Sequence, residues 1–277
     1  MIRWTERSRP LAALAVLFSA GAANAQADGE MDMGSMQGGP PPPDARDPHA
    51  YAEGVRFTRG DERPRLADEH SFRSILIDNL EVSRVNGETV APYDIEAWYG
   101  RTYERAVLKA EGEFEGGDLS EARTELLWGH AFAAYWDTQV GVRHDTGEGP
   151  NRTWLAAGIE GLAPYWFDLE VTAYVGESSR TALRVDASYD MLITQRLILE
   201  PSFEANFYGR NDPERALGSG LSDLSLGLRL RYEIRRELAP YVGLEWSNQY
   251  GGTEELTRAA NGDPSDTRLT AGLRFWF

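Results

Sequence analysis

Three methionines lie close together near the N-terminus, in a glycine- and proline-rich segment that has little else to form a hydrophobic core. Methionine usually fills cores or adaptable interfaces. Its thioether sulfur is also a soft ligand that favours Cu(I), and imidazole nitrogen extends the preference to Cu(II). The pattern therefore predicts copper capture by an N-terminal arm. The candidate ligands are Met31, Met33, Met36, His49 and His70.

Two other interpretations of this arm stay open. Three methionines form an incomplete metal site, and methionine-bearing segments also act as adaptable surfaces for other proteins. The arm would then dock a periplasmic protein. Alternatively, it is a linker in which glycine gives flexibility and the run from Pro40 to Pro43 gives a short stiff spacer.

Carboxylates are the second group with possible chemistry, because they recur at alternate positions in the C-terminal part of the chain and are interspersed with arginines. Opposite charges at this density predict cross-strand ion pairs that fill a polar interior. Carboxylates without a partner would instead form weak sites along a cation path, and spacing alone does not decide between the two. The weaker metal candidates of this group are Glu111, Glu113, Asp168 and Glu170.

The residue types do not favour catalysis. His130 and His144 are the only histidines after residue 70, and His144 is expected to face lipid if Val140 and Val142 do. A serine nucleophile needs a base within hydrogen-bond reach, and the chain has no Gly-x-Ser-x-Gly motif. We predict no enzymatic activity, with an outer-membrane hydrolase as the least favoured alternative.

Composition limits the partners and the compartment. The 277 residues include no cysteine and carry a formal net charge of -16, which argues against a disulfide framework and against nucleic acid as a partner. Residues 1–25 combine a basic start, a short apolar run and small residues before Gln26, which predicts a cleaved secretory signal peptide. We expect residues 26–71 to form a flexible periplasmic arm.

From Phe72 to the end, apolar and polar residues alternate with period two, the spacing of strands rather than helices. The alternation divides into an even number of segments separated by turn residues, which a single-chain outer-membrane barrel requires. The predicted fold is all-β: residues 72–277 form an up-and-down antiparallel transmembrane barrel. The twelve predicted strands span 72–84, 93–103, 105–116, 119–131, 135–146, 152–162, 166–178, 180–191, 195–209, 219–233, 239–251 and 266–277.

The last strand shows the pattern most clearly. Leu269, Leu273 and Phe275 share one face, Arg268 and Arg274 share the other, and the chain ends on an aromatic residue as outer-membrane barrels do. Short turns are expected on the periplasmic side and longer loops outside. Aromatic turn motifs predict an interfacial girdle at the periplasmic end. They are Ala133-Ala134-Tyr135-Trp136, Ala163-Pro164-Tyr165-Trp166 and Ala239-Pro240-Tyr241-Val242.

These features resemble the copper resistance protein B family of bacterial outer membranes. The resemblance covers the methionine-bearing arm and nearly all of the barrel. It implies an outer-membrane barrel that binds copper ions in copper homeostasis, by sequestration or by passage across the membrane, beside periplasmic copper proteins. The arm of the family often repeats methionine and histidine more extensively. The most specific stretches are residues 141–145, 161–166, 192–199, 218–223, 228–236 and 274–277.

Overall fold

The computed structural model describes residues 70–85, 88–147 and 149–277, all of which belong to one compact unit. The predicted signal peptide and most of the predicted arm lie outside these residues. His70 is the first described residue, exposed in a bend before the first strand. The other arm candidates, Met31, Met33, Met36 and His49, lie outside the described residues.

Antiparallel strand segments follow one another along the chain and pair with their neighbours. They are β1 (Phe72–Val85), β2 (Glu88–Gly100), β3 (Glu104–Glu115), β4 (Asp118–Ala133), β5 (Trp136–Gly147), β6 (Arg152–Ala163), β7 (Phe167–Gly176), β8 (Thr181–Ser188), β9 (Met191–Leu192), β10 (Leu197–Tyr208), β11 (Gly220–Tyr232), β12 (Leu238–Gln249) and β13 (Ser265–Trp276). The short β9 continues β8 after a break, and both pair with β10. Because β13 pairs with β1, the sheet closes as a twelve-stranded barrel.

The predicted fold class and strand number are confirmed, and most strand bounds agree within a few residues. The second strand is the clearest error, because it begins at Glu88 rather than at residue 93. A long loop over 84–93 was expected, yet the ladder between β1 and β2 continues to Val85 opposite Glu88. The overlooked signal is Asn86-Gly87, the dipeptide that most favours a two-residue hairpin.

Side-chain alternation places apolar residues on the outside of the barrel. Val140 and Val142 are exposed on this face, and His144 lies on it too, as predicted. A closed sheet pairs the backbone groups of each strand with a neighbour, which is the condition for β-structure in lipid. Other exposed apolar residues of the outer face include Leu108, Leu126, Leu155, Val175, Leu228, Leu244 and Leu269.

The two ends of the barrel differ in their connections. The end that holds Phe72 and Phe277, called the terminal rim below, has short turns. The opposite end, the loop rim, carries two long connections at 209–219 and 250–264, and the second contains the helix α1 (Gly251–Ala259). No helix within the described residues has the length and hydropathy needed to cross a membrane.

Aromatic side chains surround the terminal rim, as two of the three turn motifs predict. Tyr135 and Trp166 meet edge to face with ring centroids 5.7 Å apart, and Tyr165 is 83 % exposed. The expectation that Tyr241 joins this girdle is wrong. Tyr241 lies on the inward-facing side of β12, and its hydroxyl donates to Glu81 Oε1 (2.9 Å) inside the barrel.

Candidate functional site

Arginines and carboxylates close the lumen toward the terminal rim. Arg274 Nε lies 2.9 Å from Asp78 Oδ1, and Arg229 Nε lies 3.2 Å from Glu81 Oε1. Arg231 forms an ion pair with Glu200, and little space for water is left among these side chains. The network, called the floor below, consists of Asp78, Glu81, Glu200, Arg229, Arg231 and Arg274. It confirms the prediction of a salt-bridged interior for this part of the barrel.

One side of the lumen is also packed with aromatic residues. The Arg143 guanidinium lies over the ring of Tyr174, 4.6 Å from its centroid, and 5.7 Å from that of Trp154. Asp145 accepts hydrogen bonds from Arg143 Nε (2.6 Å) and from Trp154 Nε1 (2.8 Å). Arg143 therefore contacts each of the other three side chains. The buried apolar residues beside them are Val107, Leu127 and Ala156.

A cavity of about 660 Å³ extends from the loop rim to the floor. Its lining contains eleven Asp or Glu residues and five arginines, so the formal charge of the lining is 5 − 11 = −6. A cleft with low-dielectric walls that carry a net charge of one sign focuses the electric field and raises the local concentration of counter-ions. The cavity is therefore built to attract cations.

Three carboxylates of the cavity have neither a hydrogen-bond partner nor an ion pair in the described part of the chain. Asp94, Asp186 and Glu245 make no side-chain hydrogen bond or ion pair to any residue in the described ranges, and they project from β2, β8 and β12. None of the three is among the metal candidates predicted from the sequence. Strand alternation places all three on the inner face, but it does not reveal which carboxylates lack a partner.

Three of the four weaker metal candidates are neutralised by cations. Their ion pairs are Glu111 with Arg184 (2.7 Å), Glu113 with Arg268 (2.6 Å) and Glu170 with Lys109 (2.7 Å). Asp168 is exposed near the terminal rim and has no ion pair within the described part of the chain. The four do not converge, and no group of three or more His, Cys, Asp or Glu residues among those described could hold a metal ion.

The ligand atoms that face the cavity are oxygens. The cavity lining as described contains no histidine and no methionine. His130 stacks on Trp128 on the outer face (ring centroids 5.6 Å apart), and Met191 is half-exposed in β9. Carboxylate, hydroxyl and amide oxygens suit hard divalent cations rather than Cu(I). The lumen can thus recognise cations by charge and does not fit tight chelation of Cu(I).

The connection at 209–219, called the strap below, folds across the mouth of the cavity. Asp212 is 4 % exposed and accepts two hydrogen bonds from Arg152, at 2.9 and 3.0 Å. Arg180 Nε lies 3.2 Å from the same carboxylate. The hydrogen bonds from Arg152 lower the pKa of Asp212 below its usual value. Arg152 is the first residue of β6 and Arg180 directly precedes β8, so Asp212 fastens the strap to the barrel wall.

The tip of the strap reaches farther around the mouth. Arg215 donates to the carbonyl oxygen of Pro150 (3.0 Å), lies 3.9 Å from Glu121 of β4, and lines the cavity. On the other side, Gly218 N donates to Thr253 Oγ1 of α1 (2.8 Å). A Cβ at Gly218 would lie 2.3 Å from the backbone nitrogen of Thr253, so only glycine permits this approach. The strap and α1 together narrow the entrance.

Comparison with known proteins assigns the family. A sequence profile described as copper resistance protein B precursor (CopB) matches residues 71–277, the barrel and the residue before it. The chain belongs to the copper resistance protein B family. The copper resistance protein B homolog of Pseudomonas syringae pv. tomato is 44 % identical over 202 residues, which cover 73 % of this chain and 69 % of that one. Copper resistance protein B of Escherichia coli is 43 % identical over 203 residues, with the same coverage of 73 % and 69 %.

Similar solved structures include two porins of low sequence identity. The NanC porin is 10 % identical and aligns with 74 % of this chain and 99 % of its own, with a TM-score of 0.49. The KdgM porin is 13 % identical, with coverage of 74 % and 99 % and a TM-score of 0.44.

The family and the apolar outer face of the closed barrel place this copper resistance protein B family member in the outer membrane. Membership of the family also classes it as a non-enzymatic protein.

Proposed function

We propose that this protein binds copper ions at the outer membrane through two parts with different chemistry. The arm ligates copper with Met31, Met33 and Met36, helped by His49 and His70. The barrel concentrates divalent cations in its lumen and either holds them or passes them across the membrane. The observation that carries the proposal is the cavity, whose lining has a formal charge of −6 and offers oxygen ligands.

The two parts are needed because charge and copper preference have different physical origins. An oxygen-lined acidic cavity attracts any divalent cation and discriminates weakly between metals. Preference for copper requires soft donors, which the sequence places in the arm. The copper resistance names of the family and of both curated relatives support copper as the ion concerned.

The floor bears differently on the two forms of the proposal, holding and passage. Its ion pairs close the lumen between the cavity and the terminal rim, an arrangement that suits retention of cations in the cavity. Passage requires that these pairs separate while the ion moves through. Measurements of binding and of flux on the same preparations therefore test the two forms of the proposal separately.

The arm is tested by titrating the purified full chain with Cu(I) against a competing chelator. We expect the Met31/Met33/Met36→Ser variant to lose the tightest bound Cu(I), because thioether ligands are removed. Met191→Ser is the matched control, since this methionine belongs to β9 of the barrel and not to residues 26–71. Equal Cu(I) binding by the native chain and the arm variant would contradict the assignment of copper capture to these methionines.

The cavity is tested by Cu(II) flux into liposomes. We expect Asp94→Asn/Asp186→Asn/Glu245→Gln, which changes the formal charge of the lining from −6 to −3, to reduce flux at low salt and much less at high salt. The control, Glu237→Gln/Glu255→Gln/Asp263→Asn, removes the same charge from exposed residues outside the cavity. The cavity is excluded as the path if both variants conduct like the native chain. Flux of neutral sugars through the native barrel, with no dependence of Cu(II) flux on the cavity carboxylates, would favour a general polar channel.

A further inference from the structure

The single lysine of the chain has an unusual position. Lys109 is the only lysine among 28 Lys and Arg residues, and it lies in β3 with 8 % of its surface exposed. Its Nζ donates to Glu160 Oε2 (2.8 Å) and to Glu170 Oε2 (2.7 Å). These carboxylates belong to β6 and β7, three and four strands away around the wall. The lysine side chain therefore reaches across the lumen, separately from the floor.

The ammonium is surrounded by more negative charge than it neutralises. Glu96 of β2 and Glu125 of β4 stand directly opposite Lys109 in the two neighbouring ladders. With Glu160 and Glu170, four carboxylates accompany the ammonium, and Arg143 stands opposite Glu125 in the next ladder, so the formal charge of these six residues is 2 − 4 = −2. An ammonium is a compact, strongly hydrated point charge. It lies between the carboxylate oxygens of Glu160 and Glu170.

Two buried oxygens beside this cluster have no donor. Gln139 is 5 % exposed, and its Nε2 donates to Glu160 Oε2 (2.6 Å), while its Oε1 has no partner among the described residues. Glu125 is 3 % exposed; one carboxylate oxygen accepts from Tyr174 and the other, Oε2, has no partner within the same ranges. Buried acceptors are normally satisfied by a donor or an ion. Both atoms are therefore available to a cation.

We propose that Glu160, Glu170 and Gln139 form a cation site inside the barrel, nearer the terminal rim than the loop rim, which the Lys109 ammonium occupies at rest and which a divalent cation with oxygen ligands takes by displacing it. This site rests on the passage form of the proposed function. A lysine suits the role better than arginine, because its flexible stem and single charged atom separate from carboxylates more readily than a bidentate fork.

The site itself is tested with Mn²⁺, which prefers oxygen ligands, by electron paramagnetic resonance of the detergent-solubilised full chain. We expect Lys109→Met to bind one additional Mn²⁺ relative to the native chain. Lys109→Met/Glu160→Gln/Glu170→Gln should lose it again. Arg268→Met is the matched control, because it also removes one lumen cation with two carboxylate partners, Glu113 and Asp266. No additional Mn²⁺ in a folded Lys109→Met protein, or the same gain in Arg268→Met, would overturn the proposal.

The displacement is tested by divalent-cation flux into liposomes. We expect Lys109→Met to raise the flux of Cu(II) and of Mn²⁺ on the order of tenfold, because the entering cation no longer has to break a charge-assisted pair between Lys109 and a carboxylate. We expect Arg268→Met to raise the flux much less. Unchanged flux in Lys109→Met, with the additional Mn²⁺ bound, would refute displacement in transit while retaining the site. Loss of copper binding at the arm would defeat the proposed copper function without changing either Mn²⁺ readout, so the two failures are distinguishable.

Folding of each variant is checked by the shift in electrophoretic mobility between unheated and heated samples in detergent. A Lys109→Met protein that fails this check is replaced by Lys109→Gln, which keeps a polar side chain of similar length. Additional Mn²⁺ in Lys109→Gln supports the site, and its absence in the folded protein opposes it.

Discussion

Replacement of Asp212 by asparagine should release the strap from the mouth of the cavity. In the native chain this carboxylate receives two hydrogen bonds from Arg152, at 2.9 and 3.0 Å, and an ion pair from Arg180 at 3.2 Å. Asp212→Asn keeps the size of the side chain but removes the charge that both arginines face. Arg180 then loses its ion pair, while Arg152 retains Glu214 at 2.8 Å.

The expected magnitude follows from the burial of Asp212. Removing one partner of a buried ion pair costs about 3 to 5 kcal/mol, and the lower end applies here because Arg152 retains a carboxylate. The strap lies outside the barrel ladder, so the cost falls on its local opening rather than on unfolding of the barrel. About 3 kcal/mol corresponds to roughly a hundredfold increase in the open fraction.

Hydrogen exchange of the full chain in detergent measures this opening. Asp212 N donates to the carbonyl oxygen of Leu217 (2.8 Å) and Leu217 N donates back to Asp212 (3.0 Å), so these two amides report on the strap. We expect both to exchange about a hundredfold faster in Asp212→Asn. Glu214→Gln is the control, because the Glu214 side chain is 69 % exposed and its pair should contribute no more than about 1 kcal/mol.

Two results would refute this reasoning. Unchanged exchange of the Asp212 and Leu217 amides in a folded Asp212→Asn protein would show that the ion pairs do not hold the strap. Equal acceleration of amides in the barrel ladder would show that the substitution destabilises the whole barrel. In either case the strap would not be an independently opening cover of the cavity.

Two further perturbations test the electrostatics and the packing. The pKa of Asp212 is lowered by its hydrogen bonds from Arg152, so its contribution is fully present above the usual aspartate pKa of about 4 and is lost as the pH falls through its lower folded value. The hydrogen-exchange rate of the Asp212 and Leu217 amides, corrected for the intrinsic effect of pH, should therefore stay constant from neutral pH down to about pH 5 and rise only in stronger acid. A faster rate already near neutral pH would contradict this expectation. Arg143→Met should reduce the stability of the barrel by about 3 to 5 kcal/mol, because Asp145 is left buried with only Trp154 as a hydrogen-bond donor. The measurement is the temperature at which the compact electrophoretic form is lost on heating. We expect Arg143→Met to lower this temperature and Arg143→Met/Asp145→Leu to restore part of it. A double variant less stable than the single one would contradict this reasoning.

The strand pattern could be predicted because it is a local property of the chain. Successive side chains of a strand point to opposite faces, so the alternation around Val140 and His144 predicts which residues face lipid. Turn chemistry is local as well. Where the prediction failed, at the start of β2, the correct signal was still in the sequence as Asn86-Gly87.

The candidate site could be predicted only in part. Alternation indicates that Glu111, Lys109 and Asp186 face the lumen, but it does not pair them. Lys109 is 51 residues from Glu160 and 61 residues from Glu170 along the chain. Their contact depends on the tilt and stagger of strands around the closed barrel, which no short stretch of sequence specifies.

By itself, the sequence determined the class of fold, the compartment and the faces of the strands, because period-two alternation and turn residues act over a few neighbouring positions. The methionines of the arm remain a prediction from residue type alone. Only the tertiary structure decided which lumen carboxylates are neutralised, that Tyr241 lies inside and that the strap covers the cavity. These outcomes depend on distances across a closed barrel, where residues distant in sequence meet through the register of the strands between them.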